Sequence, residues 1–344
     1  MNKMTKIESI GEFGLIKQLS KDITLKNSST IKGIGDDAAV LSFGNNQTVI
    51  TTDLLIEGIH FDLSYHPLKH LGYKAVIVNL SDICAMNAVA KQITVSIALS
   101  NRFSLEALEE LYDGIKIACN IYGIDLIGGD TSSSSSGLFL SITAIGEAAP
   151  ETLCYRTGAK PNDLVCVSGD LGGAYAGLKL LQREKEVFKE HPEIQPELTG
   201  YDYILERQLK PEARPDIVRM FKELKIQPTS MIDISDGLSS ELLHLCQSSG
   251  CNCRIYAEKI PIADETGQFA DELQIAPETF ALNGGEDYEL LFTISPNDHE
   301  KLKNNPLITT IGYIAPLDKG NFLITPDGTE IALTAQGWNS FPQK

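Results

Sequence analysis

The chain has 344 residues, of which 42% are hydrophobic, and this length is sufficient for two domains. Its 29 basic and 46 acidic residues give a formal net charge of −17, which disfavours nucleic acid and anionic membrane surfaces as partners. No apolar run is long enough to cross a bilayer, and the charged N-terminal segment lacks the apolar centre of a signal peptide, so we expect a cytoplasmic protein. The seven cysteines are odd in number and dispersed, which is typical of reduced thiols rather than of a secreted disulfide framework.

The first half of the chain alternates between helix and strand patterns. Residues 67–88 are apolar in both the helical and the strand period, and their length favours a helix. The predicted elements, in chain order, are a helix at 11–20, a strand at 47–53, the helix at 67–88, a strand at 91–100, a helix at 104–121, a short strand entering Gly128-Gly129-Asp130 and a strand at 138–146.

A polar segment rich in Pro and Gly, EAAPETLCYRTGAKPND at 147–163, follows this half and predicts a domain boundary. We therefore expect an N-terminal domain at 1–150 and a C-terminal domain at 151–344, each of mixed α/β structure. The charged segment 184–200 is expected to be an exposed insertion. The predicted elements after the boundary are strand 164–168, helix 173–183, helix 213–225, strand 229–234, helix 236–248, strand 252–256 and strand 288–294.

Seven Asp residues end apolar runs or lie in Gly-rich turns at five separate places. Each one alone is most often a cap or turn residue. Seven carboxylates in one cleft would repel one another unless cations lay between them, and oxygen ligands without His or Cys suit Mg²⁺ shared with substrate phosphates. The pattern therefore indicates polyphosphate chemistry. The residues are Asp36 and Asp37 in GIGDDAAV, Asp53 in TVITTD, Asp82 in VNLSD, Asp130 in DLIGGDT, and Asp233 and Asp236 in MIDISDGL.

Common nucleotide-binding motifs do not account for this chemistry. The chain contains neither a G-x-x-x-x-G-K-[ST] P-loop nor the H-R-D and D-F-G motifs of protein kinases. GIGDDA nearly matches the glycine-rich fingerprint of dinucleotide-binding (Rossmann) folds. No strand precedes it, and its two Asp would repel the pyrophosphate of a dinucleotide, so a Rossmann fold is disfavoured. VCVSGDLGGAYAGLKLL reads as strand, turn and helix, whose glycines serve either phosphate binding or close packing. Ser132 to Ser136 read as a flexible loop beside Asp130, with phosphate covering as the alternative.

The ordered motifs resemble the thiamine-monophosphate kinase family, from about residue 10 to Trp338. GDDAA and DISDGL are shared with aminoimidazole ribonucleotide synthetase, selenophosphate synthetase and a hydrogenase-maturation protein, whereas TTDLLIEGIHFD with GGEDYEL is more specific. The resemblance implies ATP-dependent phosphorylation of thiamine monophosphate to thiamine diphosphate. It also implies an α/β (α+β) fold with two domains like those of aminoimidazole ribonucleotide synthetase, and a homodimer formed through the N-terminal domains. The motifs are GIGDDAAV, TTDLLIEGIHFD, NLSDICAMNA, IGGDTS, YRTGAKPND, DISDGLSSEL and ALNGGEDYELLF.

The resemblance also assigns roles to particular residues. Asp53, Asp130 and Asp236 would bridge metals to the ATP phosphates, and Arg156 would help to neutralise them. Asp37 would cap or orient its neighbour. The metal ligands would be Asp36, Thr51, Thr52, Asp53, Asp82, Asp130, Asp233 and Asp236; the ATP contacts Tyr112, Gly129, Asp130, Arg156 and Ser235; the substrate contacts His60, Glu286 and Trp338.

The chemistry of the implied reaction agrees with an acidic, metal-rich site. The nucleophile is a phosphate oxygen that is already largely ionised at neutral pH, so no general base is required. The site must hold two anions in line and neutralise the charge between them. About six carboxylates, ATP near −4 and the substrate near −2 leave roughly −12, from which we predict at least three Mg²⁺. Glu286 and Trp338 suit the cationic thiazolium ring of the substrate.

Other readings of the sequence are weaker. Selenophosphate synthetase needs a reactive Cys or selenocysteine near its N-terminus, and no Cys precedes Cys84. The hydrogenase-maturation relative carries a C-terminal Cys, whereas this sequence ends in Ser-Phe-Pro-Gln-Lys. TTDLLIEGIHFD disfavours aminoimidazole ribonucleotide synthetase. A non-catalytic nucleotide or Mg²⁺ sensor is the alternative from another class, and ADP release with and without acceptor separates it from a kinase.

Overall fold

A four-stranded mixed sheet forms the frame of the N-terminal half. The computed structural model describes residues 18–19, 21–32, 40–42, 44–303 and 305–336, so the helix predicted at 11–20 lies outside the described residues except for its last part. The chain divides into two compact units, one of Met1–Ile83 with Ala88–Glu151 and the other of Cys84–Asn87 with Thr152–Lys344.

In the first unit the strands lie in the order β3-β6-β4-β5, and β4 and β5 are parallel while the other neighbours are antiparallel. Strands β1 and β2 form a separate antiparallel pair. The elements are β1 (Thr30–Lys32), β2 (Val40–Leu41), β3 (Gln47–Ile56), α1 (Leu68–Ala85), β4 (Val89–Leu99), α2 (Leu105–Tyr122), β5 (Asp125–Ser133) and β6 (Leu138–Ala148).

Helices α1 and α2 cross each other at two glycines. A Cβ built on Gly72 would lie 1.9 Å from the carbonyl oxygen of Leu111, and one on Gly114 would lie 1.8 Å from that of Lys69. Two helical backbones touch here, and only residues without a Cβ permit this approach. Helix α2 begins at the N-cap Ser104, whose side chain accepts from the N–H of Ala107, and ends before Gly123 at φ 68°.

The two faces of the four-stranded sheet differ in burial. Along β6 every second residue is buried. This alternation is expected for a strand that has one face covered and the other open. The opposite face carries apolar side chains that remain exposed in the single chain: Ile50 is 64% exposed and Leu54 is 50% exposed. In register they pair with Ile145 and Ser141 of β6.

The second unit contains a seven-stranded sheet in the order β13-β12-β9-β11-β7-β10-β8, with β9 and β12 parallel and the other neighbours antiparallel. Its elements are β7 (Leu164–Ser168), α3 (Gly173–Glu190), α4 (Asp202–Leu209), α5 (Pro215–Leu224), β8 (Ser230–Asp233), α6 (Leu238–Ser249), β9 (Asn252–Tyr256), α7 (Asp264–Glu272), α8 (Pro277–Asn283), β10 (Leu290–Ile294), α9 (His299–Leu302), β11 (Ile308–Ala315), β12 (Phe322–Ile324) and β13 (Glu330–Ala332).

Strand β10 of this sheet is covered on both faces. Leu291 of β10 belongs to a core with Leu242 of α6, whereas its neighbour Phe292 belongs to a second core with Phe221 of α5. The rings of Phe221 and Phe292 meet edge to face, with centroids 5.0 Å apart. Because β10 is buried on both faces, its sequence LLFTI is apolar at four of its five positions and does not alternate with polar residues.

The exposed insertion predicted at 184–200 begins later than expected. Helix α3 continues to Glu190. Glu184 is only 8% exposed, and its Oε2 accepts from the N–H of Glu197 at 2.8 Å. Strands 164–168 and 252–256 have the predicted bounds. The sequence patterns did not predict the elements β1, β2, α4, α7, α8, α9, β11, β12 and β13.

Candidate active site

Two carboxylates of the first unit lie close together where β3 faces α1. Thr51 and Asp53 alternate with Thr52, so both face α1. The hydroxyl of Thr51 donates to Oδ2 of Asp82 at 2.5 Å, and the N–H of Asp53 donates to Oδ1 of Asn79 at 3.1 Å. The structure therefore brings together three of the residues predicted to bind metal: Thr51, Asp53 and Asp82.

The electrostatics of this pair suit a divalent cation. Burial, with a further contribution from the negative charge of Asp82, raises the pKa of Asp53 from 3.8 to about 6. Such repulsion is relieved when a cation lies between the two groups, and the available donors are carboxylate and hydroxyl oxygens, which Mg²⁺ prefers. The residues of this unit fit the predicted metal.

Thr52 and Asp130 lie elsewhere on the same sheet. Thr52 points to the opposite face, where its hydroxyl donates to the carbonyl of Ile142 at 3.1 Å. Asp130 lies in β5, and its register places it on the face of Thr52. Strands β5 and β3 form the two edges of the sheet, so Asp130 and Asp53 are about 14 Å apart at three strand spacings. In the sheet register the Asp130 side chain lies on the face opposite to that of Asp53.

The predicted contacts Gly129, Tyr112 and His60 have local structural partners. A Cβ at Gly129 would lie 1.9 Å from the carbonyl oxygen of Val95, so close strand packing alone requires glycine there. Tyr112 lies on the buried side of α2, and burial raises the pKa of its hydroxyl to about 12. Nδ1 of His60 accepts from the N–H of Ile56 at 3.0 Å in the turn after β3.

A second group of carboxylates lies in the second unit, between β8 and α6. Asp233 ends β8 and is buried, and Asp236 lies in the turn that follows. The N–H of Asp236 donates to Oε1 of Glu241 at 3.2 Å. Burial raises the pKa of Asp236, and burial, with a smaller contribution from the charge of Asp236, raises that of Glu241 to about 8. Oε2 of Glu241 has no hydrogen-bond partner among the described residues.

The loop from Gly284 to Glu289 carries Glu286 beside this group. The N–H of Glu286 donates to the carbonyl of Ser235 at 2.8 Å, and the Glu286 side chain accepts from Nε2 of Gln208 at 2.8 Å. The structure thus places Ser235, a predicted ATP contact, against Glu286, a predicted substrate contact, within the second unit.

Arg156 is exposed in a loop that Ser249 holds. The hydroxyl of Ser249 accepts from the N–H groups of Gly158 and Ala159 at 3.2 Å each and donates to the carbonyl of Arg156 at 3.2 Å. The loop is therefore fixed while the guanidinium stays exposed. Asp36, Asp37 and Trp338 lie outside the described residues.

Neither carboxylate group forms a complete metal centre from the described residues alone. Within the described ranges, no set of three or more His, Cys, Asp or Glu side chains is arranged to hold a metal ion. Mg²⁺ in phosphate-binding sites usually takes part of its coordination from the phosphates and from water.

Sequence reasoning missed Asn79 and Glu241. Asn79 precedes Asp82 by three residues, a spacing that places both on one face of a helix. Because 67–88 is predicted to be helical, the motif NLSD could have identified Asn79 as a neighbour of Asp82. Glu241 lies within DISDGLSSEL and resembles a capping-box acid, because its carboxylate accepts from the N–H of Asp236, which precedes its own helix.

Comparison with known proteins agrees with this architecture. The family model for AIR synthase related protein, N-terminal domain, matches residues 35–148. The hydrogenase maturation protein HypE in complex with ATP covers 92% of this chain and 93% of its own with a TM-score of 0.73, and at 18% identity this likeness shows the fold alone. The described residues include no helix with the length and apolar character of a membrane span.

Closer relatives are kinases. The thiamine-monophosphate kinase of Bacillus subtilis (strain 168) is 34% identical over 336 residues, 96% of this chain and 99% of the relative. That of Aquifex aeolicus (strain VF5) is 36% identical over 338 residues, 98% and 100% of the two chains. The solved structure of AaThiL complexed with AMPPCP and TMP has a TM-score of 0.75 at 34% identity and covers 99% of this chain and 100% of its own.

The chain has an AIR synthase-like fold, because the family model matches residues 35–148 and the solved structures cover nearly the whole chain. More narrowly, the chain belongs to the thiamine-monophosphate kinase family, because its likeness to these enzymes extends over nearly the whole length of both chains. The family and the fold class predicted from the motifs are confirmed.

Proposed function

We propose that this chain transfers the terminal phosphoryl group of ATP to thiamine monophosphate and so forms thiamine diphosphate and ADP. The observation that carries this proposal is the near-full-length kinship to thiamine-monophosphate kinases, together with the likeness to AaThiL, which was solved with AMPPCP and TMP. The Asp53–Asp82 pair and the Ser235–Glu286 contact are the local arrangements that support it.

Several Mg²⁺ are proposed as the cofactor. When bound, they would neutralise the phosphate charge and help to align the reacting groups. Thr51 and Asp82 are already hydrogen-bonded, so the β3–α1 group is partly preorganised. The proposed ligands are Asp36, Thr51, Thr52, Asp53, Asp82, Asp130, Asp233 and Asp236.

Direct in-line transfer without a phosphoenzyme is the mechanism we propose. The acceptor phosphate is already largely ionised at neutral pH, so a side chain need not remove a proton. Asp53, Asp130 and Asp236 would position the ATP phosphates through the bound cations, and the exposed Arg156 would offer its guanidinium to them. Further ATP contacts are proposed at Tyr112, Gly129 and Ser235.

Substrate recognition is assigned to the opposite end of the acceptor. The thiazolium ring is cationic, so the carboxylate of Glu286 would attract it and the indole of Trp338 would stack on it. His60 is the third proposed substrate contact. We assign ATP and Mg²⁺ binding and dimerisation to residues 1–150, and completion of the nucleotide and substrate site to residues 151–344.

A homodimer in the cytoplasm is the proposed working form. The exposed apolar side chains of Ile50 and Leu54 form a face that a second copy would cover. Thr52 and Asp130 lie on the same face, so a dimer formed there would place these proposed ligands near the partner. Sedimentation equilibrium should give a dimer for the wild type and a monomer for Leu54→Glu, and a monomeric wild type would contradict the proposal.

The kinase activity is tested by incubating the protein with Mg·ATP and thiamine monophosphate and separating the thiamine phosphates by chromatography. We expect thiamine diphosphate, and we expect EDTA to prevent its formation. ATP binding with Mg²⁺ but without product would instead favour another acceptor or a sensor.

A further inference from the structure

The loop that carries Glu286 has an unfavourable backbone conformation, which contacts with other segments must stabilise. Glu286 has φ 68° and Tyr288 has φ 53°, and both are non-glycine residues in the left-handed region. Such conformations persist only where the surrounding structure imposes them, and they are frequent at functional sites. The contacts of this loop therefore bear on where the Glu286 carboxylate lies.

Helix α4 and the segment after it supply those contacts. The guanidinium of Arg207 lies 3.8 Å from Asp287 and 3.3 Å from Glu289, and Arg214 also forms an ion pair with Glu289. Asp287 further accepts from the N–H of Gly172 at 2.8 Å. These buried ion pairs anchor the loop on both sides of Tyr288.

Helix α4 is itself fixed against α3. A Cβ built on Gly177 of α3 would lie 2.0 Å from the carbonyl oxygen of Ile204 in α4 and 2.8 Å from the Cβ of Gln208. The two backbones are in direct contact, so the backbone of Gln208 is fixed against α3. Its side chain is only 3% exposed.

Gln208 contacts the Glu286 carboxylate directly, through Nε2 to Oε2 at 2.8 Å. The donor is a neutral amide. It orients the carboxylate without adding a formal positive charge beside it, whereas Arg207 and Arg214 add positive charge at the neighbouring Asp287 and Glu289.

We infer that Gln208 is a positioning residue for Glu286, which it holds in place for the cationic ring of the acceptor. This inference rests on the proposed function. It predicts that loss of the amide weakens the use of thiamine monophosphate and leaves the use of ATP unchanged.

The test is steady-state kinetics of Gln208→Met, which keeps the length of the side chain and removes the donor. We expect the KM for thiamine monophosphate to rise about tenfold, as for loss of a hydrogen bond to a charged group, while the KM for ATP stays within about twofold. Gln247→Leu, at an exposed position of α6, is the matched control and should leave both KM values unchanged.

A double-mutant cycle with Glu286→Gln separates positioning from general support of the fold. In that background Gln208→Met should change the KM for thiamine monophosphate by less than about twofold, because the charged acceptor of the hydrogen bond is gone. Equal losses in both backgrounds, or a parallel rise in the KM for ATP, would overturn the inference.

Two further outcomes are decisive. Gln208→Leu is the second variant if the Met variant does not fold, and failure of both to fold, judged by circular dichroism, would make Gln208 structural and reject the inference. If the wild type does not form thiamine diphosphate, the proposed function fails, and that result is separate from an active wild type whose Gln208 variants are unaffected.

Discussion

Asp53 illustrates how a single residue acquires a function from its neighbours. By itself an Asp near a strand end is an ordinary polar residue, and in the folded chain it lies against Asp82 with a pKa raised to about 6 by burial and by that charge. A group so placed gains most from a cation, which removes both the desolvation cost and the repulsion.

Asp53→Asn should therefore abolish turnover without unfolding the protein. We expect more than about a 100-fold loss of kcat, because a phosphoryl-transfer site depends on charge neutralisation at the phosphates. The kinase assay measures the loss of turnover, and a thermal melt shows whether the variant remains folded. Asp113→Asn, an exposed residue of α2 that pairs with Lys116, is the control. Retention of more than a tenth of wild-type activity would count against the role of Asp53.

His66 makes stability depend on pH in a separate part of the first unit. Burial, with Lys74 and His70 contributing, lowers its pKa from 6.5 to about 3. Between these values the unfolded chain binds a proton that the folded protein does not, so the free energy of unfolding falls as the pH falls from about 6.5 towards 3. Above pH 6.5 both states are neutral and the effect is absent.

His66→Gln should flatten this dependence. Between pH 8 and pH 5.5, the wild type should lose about 1.4 kcal/mol more unfolding free energy than the variant, measured by urea denaturation. His191→Gln, at an exposed histidine, should keep the wild-type slope. Equal slopes for wild type and His66→Gln would show that His66 is protonated in the folded protein.

At the scale of elements, the crossing of α1 and α2 decides how the sheet is covered. Gly72 and Gly114 each face a backbone carbonyl of the other helix at less than ordinary contact distance for a Cβ. Because α1 also carries Asn79 and Asp82, this crossing sets where the two side chains meet β3.

Gly72→Ala should destabilise the protein by about 2 kcal/mol, because the added methyl group forces the helices apart. Gly267→Ala is the matched control: Gly267 lies in α7, where a Cβ would have nothing within 4 Å, so alanine there should stabilise by about 1 kcal/mol through helix propensity. Unfolding in guanidinium measures the change in the free energy of unfolding for both variants and shows whether each has the expected sign. A neutral Gly72→Ala would mean that the helices shift without cost.

Sequence patterns predicted some elements of this chain closely and missed others, and length alone does not separate the two groups. The structure places strand 252–256 and helix 104–121 within a residue of the prediction. Helix α4 and strand β11 were missed because tertiary packing stabilises them. Helix α4 has only eight residues. Strand β11 is the central strand of its sheet, and the two strands that flank it there are distant from it in sequence.

At the scale of the whole molecule, all seven cysteines are free and buried. Burial raises the pKa of Cys84, Cys119, Cys154 and Cys166 to about 12 each, so the reactive thiolate is scarce at neutral pH. The thiols therefore report on global unfolding rather than on the site.

The native protein should react with fewer than one equivalent of Ellman's reagent in the first minutes at pH 8, and with seven in guanidinium. The assay reads released thionitrobenzoate at fixed protein concentration. Prompt reaction of one or more thiols without denaturant would indicate local opening of the segment that contains them.

Local motifs predict the family and the residue types of the candidate site, because they involve residues that are neighbours along the chain. Tertiary structure decided which of those residues meet. It joined Thr51, Asp53 and Asp82, placed Asp130 at the far edge of the sheet, and set Gln208 against Glu286. Such contacts depend on strand order and helix packing between residues far apart in sequence, which no local pattern encodes.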